Sequence, residues 1–369
     1  KAISRAKTEG MSVLLDFHLS DTWADPSKQI IPQAWESVSD DLSLLSDSLY
    51  NYIHGTLNEL NAEGLLPELV QIGNETNKGI LQTEEQNQEW KLEWPRNAVL
   101  FNAGIDAVRD FERESGQDIM VVIHFAGPEN ALWLMEQFDH NGVKDFDVIG
   151  LSYYWAWHQP TSIVRTGEII EFLISEYDKE VMIVETGYIW TNDANDSANN
   201  IISEVDDSYG MASPGSQKAW LTDLKEEVQL SGGIGMVYWE PSWVSSDCFT
   251  LWGKGSHQEH ATYFDFDNEL LIPGGIEWMN ENVVSIEDAK SIEDFQVVYD
   301  SISQVFKISG LKHFGGGYSY GIYDITGNKL DAGSLDGSEI AFTSIELGVV
   351  VFTIYSESRV AYSEKLVVR

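Results

Sequence analysis

The stretches Val70-Gln71-Ile72-Gly73-Asn74-Glu75 and Val181-Met182-Ile183-Val184-Glu185-Thr186-Gly187 decide the fold of this chain. Each is an apolar run rich in β-branched residues that leads to a single glutamate. Such runs are typical of strands that are buried on both faces of a parallel sheet. A charged residue at the carboxyl end of such a strand lies where barrels and open α/β sheets have their active sites. The two glutamates are therefore candidates for a catalytic acid and a nucleophile.

Short apolar runs alternate with longer amphipathic stretches from residue 1 to about residue 280, which is the pattern of a parallel βα sheet. One intervening helix is predicted at Ala98–Glu112. Six strands are predicted, at Met11–His18, Leu69–Glu75, Ile119–Phe125, Phe146–Tyr154, Val181–Tyr188 and Ile234–Glu240. Their ends carry polar or aromatic side chains that suit a site: Asp16, His18, Asn74, Glu75, His124, Tyr153, Tyr154, Glu185, Trp239 and Glu240. Six such ends in succession indicate the mouth of a (β/α)8 TIM barrel.

A closed barrel of this type has eight strands, and six are predicted here. The chain begins without methionine in a predicted helix, Lys1–Lys7, so we expect that two βα units precede Lys1. After Trp278 the chain changes to short alternating strands separated by glycine. We therefore predict an α/β catalytic barrel at residues 1–284 and a small all-β, sandwich-like domain at residues 285–369. Strands of this second domain are predicted within 321–330, 349–355 and 360–368.

The charge balance argues against several classes of partner. The 369 residues contain 22 Lys and Arg against 60 Asp and Glu, which gives a net charge of −38 and disfavours nucleic acid and anionic membrane surfaces. No stretch approaches the roughly 20 apolar residues that span a bilayer, so we expect no membrane insertion. The single cysteine, Cys248, excludes an internal disulfide. A neutral substrate fits this composition better, although a heavily solvated surface also explains the charge.

Glu75 and Glu185 suit the hydrolysis of a glycosidic bond, in which one carboxyl protonates the leaving oxygen and another attacks the sugar or activates water. A separation of ~5 Å would indicate a retaining enzyme and ~6.5–9.5 Å an inverting one. Asn74 offers an amide to the sugar 2-hydroxyl. Tyr153 would donate to the nucleophile and keep it ionised. A lone Asn-Glu after an apolar run is also typical of a capped helix start, so the hypothesis depends on the pair.

Sugar rings pack on flat aromatic side chains, and the sequence supplies 13 tryptophans. His18 and His124 are candidates for substrate contact or, equally, for buried structural imidazoles. The tryptophans in predicted strand-end loops are Trp23, Trp155, Trp157, Trp239, Trp243 and Trp252.

A run of oxygen-bearing side chains after the Glu185 strand suggests a metal. Asp193, Asn195, Ser197 and Asn199 stand at alternate positions, a pattern that suits a structural calcium ion. Runs of Asn, Asp and Ser are, however, mostly turns.

Five different sequence motifs follow one another along the chain. They are Gly10–Pro26, Gln71–Glu75, Asp147–Tyr154, Val184–Tyr188, and Tyr238–Pro241 with Trp252-Gly253. Together they resemble glycoside hydrolase family 53, the endo-β-1,4-galactanases. The resemblance implies a (β/α)8 barrel in which Glu75 is the acid/base and Glu185 the nucleophile of a retaining cleavage of β-1,4-galactan.

The same resemblance implies the residues that bind the sugar. No cofactor is required, and the Asp193–Asn199 segment falls where some bacterial relatives bind a structural calcium ion. Asn74, Tyr153 and Trp239 would line the cleavage point, and the loop with Asp21, Trp23 and Asp25 would help to build the cleft. With these we group, as candidate substrate contacts, Asp16, His18, His124 and Glu240.

The tail at about residues 291–369 resembles the carboxyl-terminal sorting domain of type IX secretion in the Bacteroidetes. Gly321–Gly327 and Tyr362–Arg369 carry this resemblance. It implies that the type IX secretion machinery is a partner and that the protein is secreted or attached to the cell surface. A plain accessory β-sandwich is the alternative. We expect a monomer.

Two rival functions stay open at this point. Another enzyme of the same barrel clan, such as a β-mannanase, shares the Asn-Glu pair and the second strand-end glutamate. A glycan-binding protein that has lost catalysis would keep the same cleft.

Overall fold

The computed structural model describes residues 1–89, 92–251, 253–279, 296–300, 305–309, 318–324, 329–335, 339–341, 348–356 and 359–368. Contacts divide the chain into two compact units, Lys1–Met279 and Asn280–Arg369. The predicted domain boundary between residues 284 and 285 lies outside the described residues and stays a prediction.

A six-stranded parallel sheet forms the centre of the first unit. The strands pair side by side in chain order, as in a TIM barrel. All six predicted strands are confirmed, with ends that differ by a few residues, and the expectation of two further βα units stays a prediction. The strands are β1 (Leu14–Phe17), β2 (Leu69–Ile72), β3 (Met120–Ala126), β4 (Val148–Tyr153), β5 (Glu180–Thr186) and β6 (Met236–Tyr238).

Helices precede β1 and connect the strands, and their ends follow from local sequence. Asp41 and Ser162 accept backbone N–H groups of the helices that they precede, and Gly116 ends a helix in the left-handed conformation. None of the described helices is long and apolar enough to cross a membrane. The helices are α1 (Ala2–Thr8), α2 (Leu42–Ala62), α3 (Glu84–Gln88), α4 (Trp94–Ser115, which contains the predicted helix), α5 (Pro128–His140), α6 (Trp155–His158), α7 (Ile163–Tyr177) and α8 (Pro214–Leu230).

The two faces of the sheet belong to different buried clusters. Ile149 and Ile183 pack with the helices in the main core. Val148 and Val184 pack on the opposite face in a smaller cluster, with Met182 partly buried beside them. Side chains alternate between the faces along each strand. Two residues that are adjacent at a strand end therefore point to different faces, one toward the helices and the other toward the opposite face.

The remaining described strands form a short hairpin in the first unit and two sheets in the second. The last two strands of the first unit, β7 (Phe249–Thr250) and β8 (Gly253–Lys254), form a short antiparallel hairpin. The free cysteine, Cys248, directly precedes β7 and is exposed. The second unit has two antiparallel sheets, in the orders β13-β10-β9 and β12-β11-β14-β15. Buried Phe306 and Phe352, one from each sheet, lie 5.0 Å apart between ring centroids. The predicted β-structure of the tail is therefore confirmed for the residues that the structure describes there. Its strands are β9 (Gln296–Asp300), β10 (Val305–Ser309), β11 (Tyr318–Asp324), β12 (Lys329–Ser334), β13 (Glu339–Ala341), β14 (Gly348–Ser356) and β15 (Arg359–Val368).

Candidate active site

The two predicted carboxyls meet at the carboxyl end of the sheet. Glu75 comes three residues after β2, and Glu185 is the penultimate residue of β5. One potential ligand atom each from Glu75, His124 and Glu185 lies within 4.8 Å of the other two. Both glutamates line a cavity of about 490 Å³. Other residues that line it are Trp23, Asp25, Asn77, Asn130, Tyr154, Trp157, His158 and Trp239.

The backbone at Glu75 is held in an unusual conformation. Glu75 has φ +46° and ψ 55°, in the left-handed region that residues other than glycine rarely adopt. The buried Gln29 amide donates to the carbonyl oxygens of Asn74 (2.8 Å) and Glu75 (3.3 Å). The Asn74 amide nitrogen donates to the carbonyl oxygen of Ala24 (2.9 Å). Strain of this kind persists only where the surroundings hold it, which is common at functional sites.

A buried chain of polar groups lies behind Glu75. The Ser152 hydroxyl lies 2.6 Å from Glu75 Oε1 and 2.7 Å from His124 Nε2. The other ring nitrogen of His124, Nδ1, accepts from the Glu75 backbone N–H at 3.3 Å and lies 3.0 Å from Asn74 Oδ1. Burial lowers the pKa of His124 to about 3, so the ring is neutral. Because both nitrogens are engaged by protein atoms and His124 does not line the cavity, its expected contact with substrate is corrected to a contact with Glu75.

Glu185 has a different partner. The Tyr154 hydroxyl donates to Glu185 Oε1 at 2.8 Å. The prediction for Tyr153 is wrong, because its hydroxyl donates to the Thr161 carbonyl oxygen (2.7 Å) and its ring stacks on Trp220 of α8. The physical reason is strand alternation, which turns Ser152 and Tyr154 toward the carboxyls and Tyr153 toward the helices.

Burial dominates the electrostatics of the pair. Burial, with repulsion from Asp25, raises the pKa of Glu75 to about 7 against the opposing effects of Ser152 and His18. Burial, followed by repulsion from Glu75, raises the pKa of Glu185 to about 8 against the hydrogen bond from Tyr154. Two carboxyls this close titrate as a pair. Near neutral pH the pair therefore holds one proton and one negative charge.

The residues predicted at the end of β1 form a second polar group. Asp16 binds His18 Nδ1 through Oδ2 and accepts from the Gln71 amide (2.9 Å) through Oδ1. Burial alone would lower the pKa of His18, but the hydrogen bond and the charge of Asp16 raise it. Asp21 accepts the Gln33 backbone N–H at 2.7 Å, so it fixes the loop around the cleft.

The predicted aromatic residues divide into two groups. The rings of Trp23 and Trp239 meet edge to face with centroids 5.8 Å apart, and both line the cavity together with Trp157. Trp243 packs on Trp239 at 6.1 Å. Trp155, in contrast, binds the Val205 carbonyl oxygen through its ring N–H, and Trp252 lies outside the described residues.

Glu240 follows Trp239 with φ +48°, and burial raises its pKa. Glu240 is a third carboxyl near Glu185, and the charge of Glu240 helps to raise the pKa of Glu185.

The four predicted calcium ligands do not form a fitting site in the described contacts. All four are exposed, and the side chains of Asn195 and Ser197 make long contacts, of 3.5 and 3.4 Å, as donors to the carbonyl oxygens of Phe266 and Lys254. Calcium needs six to eight convergent oxygen ligands. We therefore give calcium no role in the chemistry, and its binding stays a prediction.

Sequence reasoning missed Ser152 as a partner of Glu75 and assigned the role of Tyr154 to its neighbour. The alternation of β4 could have indicated Tyr154, because Ser152 and Tyr154 must share a face. The cavity residues Asn77 and Asn130 carried no sequence signal.

Comparisons with known proteins agree with this geometry. Glycosyl hydrolase family 53 matches residues 1–273. An arabinogalactan endo-β-1,4-galactanase of Cellvibrio japonicus is 49% identical over 267 residues, which cover 72% of this chain and 70% of the relative. An endo-β-1,4-galactanase of Bacillus subtilis is 34% identical over 247 residues, 65% of this chain and 53% of the relative.

Solved structures show the same relationship. A family 53 catalytic domain of Ignisphaera aggregans has a TM-score of 0.64 at 32% identity, covering 74% of this chain and 74% of its own. A structure from a study of two fungal β-1,4-galactanases has a TM-score of 0.61 at 27% identity, covering 74% of this chain and 79% of its own. The sequence match, the TIM-barrel-like sheet and the paired carboxyls all show that this chain is a glycoside hydrolase that belongs to glycosyl hydrolase family 53.

Proposed function

We propose that this protein is a retaining endo-β-1,4-galactanase that hydrolyses β-1,4-galactan, as in type I arabinogalactan and the galactan side chains of pectin. The observation that carries the proposal is that one carboxyl oxygen of Glu75 lies within 4.8 Å of one carboxyl oxygen of Glu185. Retaining enzymes have carboxyls about 5–5.5 Å apart, and inverting enzymes need about 6.5–9.5 Å to admit a water. The named activity of the 49% identical relative supports galactan as the substrate.

The hydrogen bonds support separate roles for the two glutamates. Tyr154 can only donate to Glu185, because burial raises the pKa of its hydroxyl well above the usual range. A hydrogen bond to the charged form of a carboxyl favours that form. The bond from Tyr154 thus suits Glu185 as the charged nucleophile, and we assign the part of the acid to Glu75.

In the first step Glu185 attacks the anomeric carbon while Glu75 gives its proton to the leaving glycosidic oxygen. The bond to the leaving sugar breaks, and a galactosyl ester of Glu185 forms. In the second step the Glu75 carboxylate takes a proton from water, and that water attacks the same carbon and releases Glu185.

The cavity walls suit a sugar chain. Trp23, Trp157 and Trp239 offer aromatic surface to the C–H faces of the rings, and Asn77 and Asn130 offer amides to hydroxyls. Asn74 uses its amide nitrogen on Ala24, which leaves one amide hydrogen for the sugar 2-hydroxyl.

Digestion of potato galactan and of β-mannan, in parallel, tests the proposal. We expect galacto-oligosaccharides of several lengths from galactan, with the newly formed reducing end appearing first as the β-anomer by ¹H NMR. Manno-oligosaccharides would favour a β-mannanase, and an α-anomer first would exclude retention. Binding of galactan without any product would favour the glycan-binding protein.

For the tail, we propose a small sandwich that serves type IX secretion, so that the enzyme works outside the cell or on its surface. The supporting observation is that its two antiparallel sheets share one buried cluster. Expression of the full chain in a Bacteroidetes host with and without a working type IX system tests this. Equal export from both hosts would support a plain accessory domain instead. Light scattering of the full chain tests the expected monomer.

A further inference from the structure

We propose that the ring N–H of His158, at Nε2, donates to a hydroxyl oxygen of the bound sugar chain beside Gly127. The proposal deepens the proposed function and rests on it, because it names a contact of the same cleft with the galactan. His158 is the last residue of α6 and lines the cavity that both glutamates line.

The backbone of Tyr154 decides which ring nitrogen of His158 carries the hydrogen. The Tyr154 backbone N–H donates to His158 Nδ1 at 3.0 Å, and the His158 backbone N–H donates to the Tyr154 carbonyl oxygen, also at 3.0 Å. A backbone N–H is always a donor, so Nδ1 is the acceptor and carries no hydrogen. The single ring hydrogen of a neutral imidazole therefore lies on Nε2.

The ring of His158 is neutral near neutral pH. Burial lowers the pKa of His158 to about 4. An imidazolium would also need a hydrogen on Nδ1, where the Tyr154 N–H already points. His158 therefore presents one donor and no acceptor at Nε2.

This Nε2–H is available to a ligand. Among the residues that the structure describes, Nε2 has no hydrogen-bond partner, and it is not one of the fully buried polar atoms that lack a partner. Because His158 lines the cavity, a molecule in the cavity can reach this nitrogen. A donor of fixed direction in a binding cavity selects a ligand that offers an oxygen at that point.

Gly127 leaves room for such an oxygen. A Cβ at this position would lie 3.3 Å from His158 Nε2 and 3.0 Å from the amide nitrogen of Asn130. That amide nitrogen gives one hydrogen to the Ala126 carbonyl oxygen, at 2.9 Å, and keeps a second. Two N–H donors therefore flank one glycine. A sugar hydroxyl fits this arrangement, because its oxygen has two lone pairs that can accept.

The surrounding groups favour a neutral sugar. Asp25, Glu75 and Glu185 line the same cavity and would repel a carboxylate such as that of a uronic acid. Trp157, next to His158 in the chain, is about half exposed and lines the cavity as well. An aromatic surface beside a few directed polar groups is the usual construction of a small-molecule site. A sugar ring that packs on Trp157 would present its hydroxyls at its edge.

Binding of β-1,4-galactotetraose, measured by calorimetry in a Glu75→Gln background that prevents cleavage, tests the contact. In His158→Asn the side-chain oxygen takes the place of Nδ1 and still accepts the Tyr154 N–H, but no donor remains at Nε2. We expect Kd to rise about five- to tenfold, as for the loss of one hydrogen bond. An unchanged Kd would overturn the proposal. No binding in the Glu75→Gln background itself would contradict the proposed function, on which the contact rests.

His158→Gln is the matched control, because its amide keeps a donor near the position of Nε2 and loses the acceptor for the Tyr154 N–H. We expect its Kd to stay within about twofold of the background, while its unfolding temperature falls by about 3 °C or more. His158→Asn should unfold within about 1 °C of the background. Weaker binding in His158→Gln with unchanged binding in His158→Asn would mean a structural role only and would overturn the proposal.

The tautomer is tested by ¹⁵N NMR of the histidine rings in the full chain, with the His158 signals assigned by their loss in His158→Asn. We expect a protonated Nε2 and a bare Nδ1 from about pH 5 to about pH 9, and a shift of the Nε2–H signal when galactotetraose binds to Glu75→Gln. An Nδ1–H tautomer, an imidazolium in this range, or no shift on binding would overturn the proposal. The tautomer measurement needs no activity, so it decides even where a variant does not fold.

Discussion

The Tyr154 hydroxyl donates a 2.8 Å hydrogen bond to Oε1 of Glu185, from a fully buried ring at the end of β4. Burial and the charge of Glu185 raise the pKa of this tyrosine well above its ordinary value. Tyr154 is therefore a donor at every pH at which the enzyme works. It offsets part of the cost of keeping Glu185 charged in a buried site, which a nucleophile requires.

We expect Tyr154→Phe to lower kcat/KM on galactan about 10- to 100-fold, because a hydrogen bond to a charged group contributes about 1.5–3 kcal/mol. The acidic limb of the pH profile should also move to higher pH, since Glu185 loses the donor that favours its carboxylate. Steady-state kinetics over pH measures both effects.

Tyr153→Phe is the matched control, because it also removes a tyrosine hydroxyl, from the residue that precedes Tyr154. It breaks the hydrogen bond to Thr161 and should cost about 1 kcal/mol of stability with little change in kcat/KM. Equal kinetic losses in the two variants would contradict the assignment of Tyr154.

The roles of the two glutamates are separated by external nucleophiles. In Glu75→Ala the first step still proceeds when the leaving group is good, and azide can then enter where the base would have activated water. We expect azide to restore turnover of an activated aryl glycoside and to give a β-glycosyl azide. Glu185→Ala should show no such β-product, and rescue of Glu185→Ala in place of Glu75→Ala would reverse the roles.

Burial of Glu185 predicts a pH-dependent stability cost. Its pKa is 4.5 without burial and about 8 in the folded chain. Between these values the folded carboxyl pair, Glu185 with Glu75, keeps a proton that the unfolded state has released, so the contribution of the pair to stability falls as pH rises from about 4.5 to about 8. Glu185→Gln removes this loss. The variant should therefore unfold at least about 2 °C above the wild type at pH 8 and near the wild type at pH 4.5.

Calorimetry at the two pH values measures this difference, and Glu59→Gln, on the exposed face of α2, is the control for removing one negative charge. If Glu185→Gln raised the unfolding temperature equally at both pH values, or only as much as the control does, the result would contradict the argument.

The strands and the two glutamates could be predicted because their signals are local. An apolar run rich in β-branched residues that leads to a glutamate predicts both the strand and the placement of the carboxyl. The partners of the glutamates depend on which strands are neighbours and on their register. The pairing of β4 with β5 shifts between Leu151 and Ser152, and nothing in the sequence marks that shift. Tyr153 is predicted as the donor because it lies two residues after Leu151 in its strand, whereas the alternation of β4 turns Ser152 and Tyr154 toward the carboxyls.

His124 illustrates the second limit of the sequence. A histidine at a strand end suits either substrate contact or a buried structural role, and the residue type does not separate them. Its actual partners, Ser152 and Glu75, lie 28 and 49 residues away along the chain. Only the folded sheet brings these groups together.

The segment predicted to bind calcium supplies a last prediction, which concerns Asp196 instead of the four predicted ligands. Asp196 accepts the backbone N–H groups of Ala198 (2.8 Å), Ser246 (3.1 Å) and Ser256 (2.6 Å). Its carboxylate thereby ties its own loop to the segment that follows Trp243.

Asp196→Asn puts an N–H donor where a backbone N–H needs an acceptor, so we expect a loss of about 2 kcal/mol or more in the free energy of unfolding. Asp193→Asn is the matched control at an exposed position and should change stability by no more than about 0.5 kcal/mol. Thermal unfolding of both variants in EGTA and in excess CaCl₂ shows whether the Asp196 hydrogen bonds or a bound calcium ion stabilise this segment. If calcium were the main tie, Asp193→Asn would lose a calcium-dependent rise in Tm that the wild type shows, and Asp196→Asn in EGTA would match the wild type in EGTA.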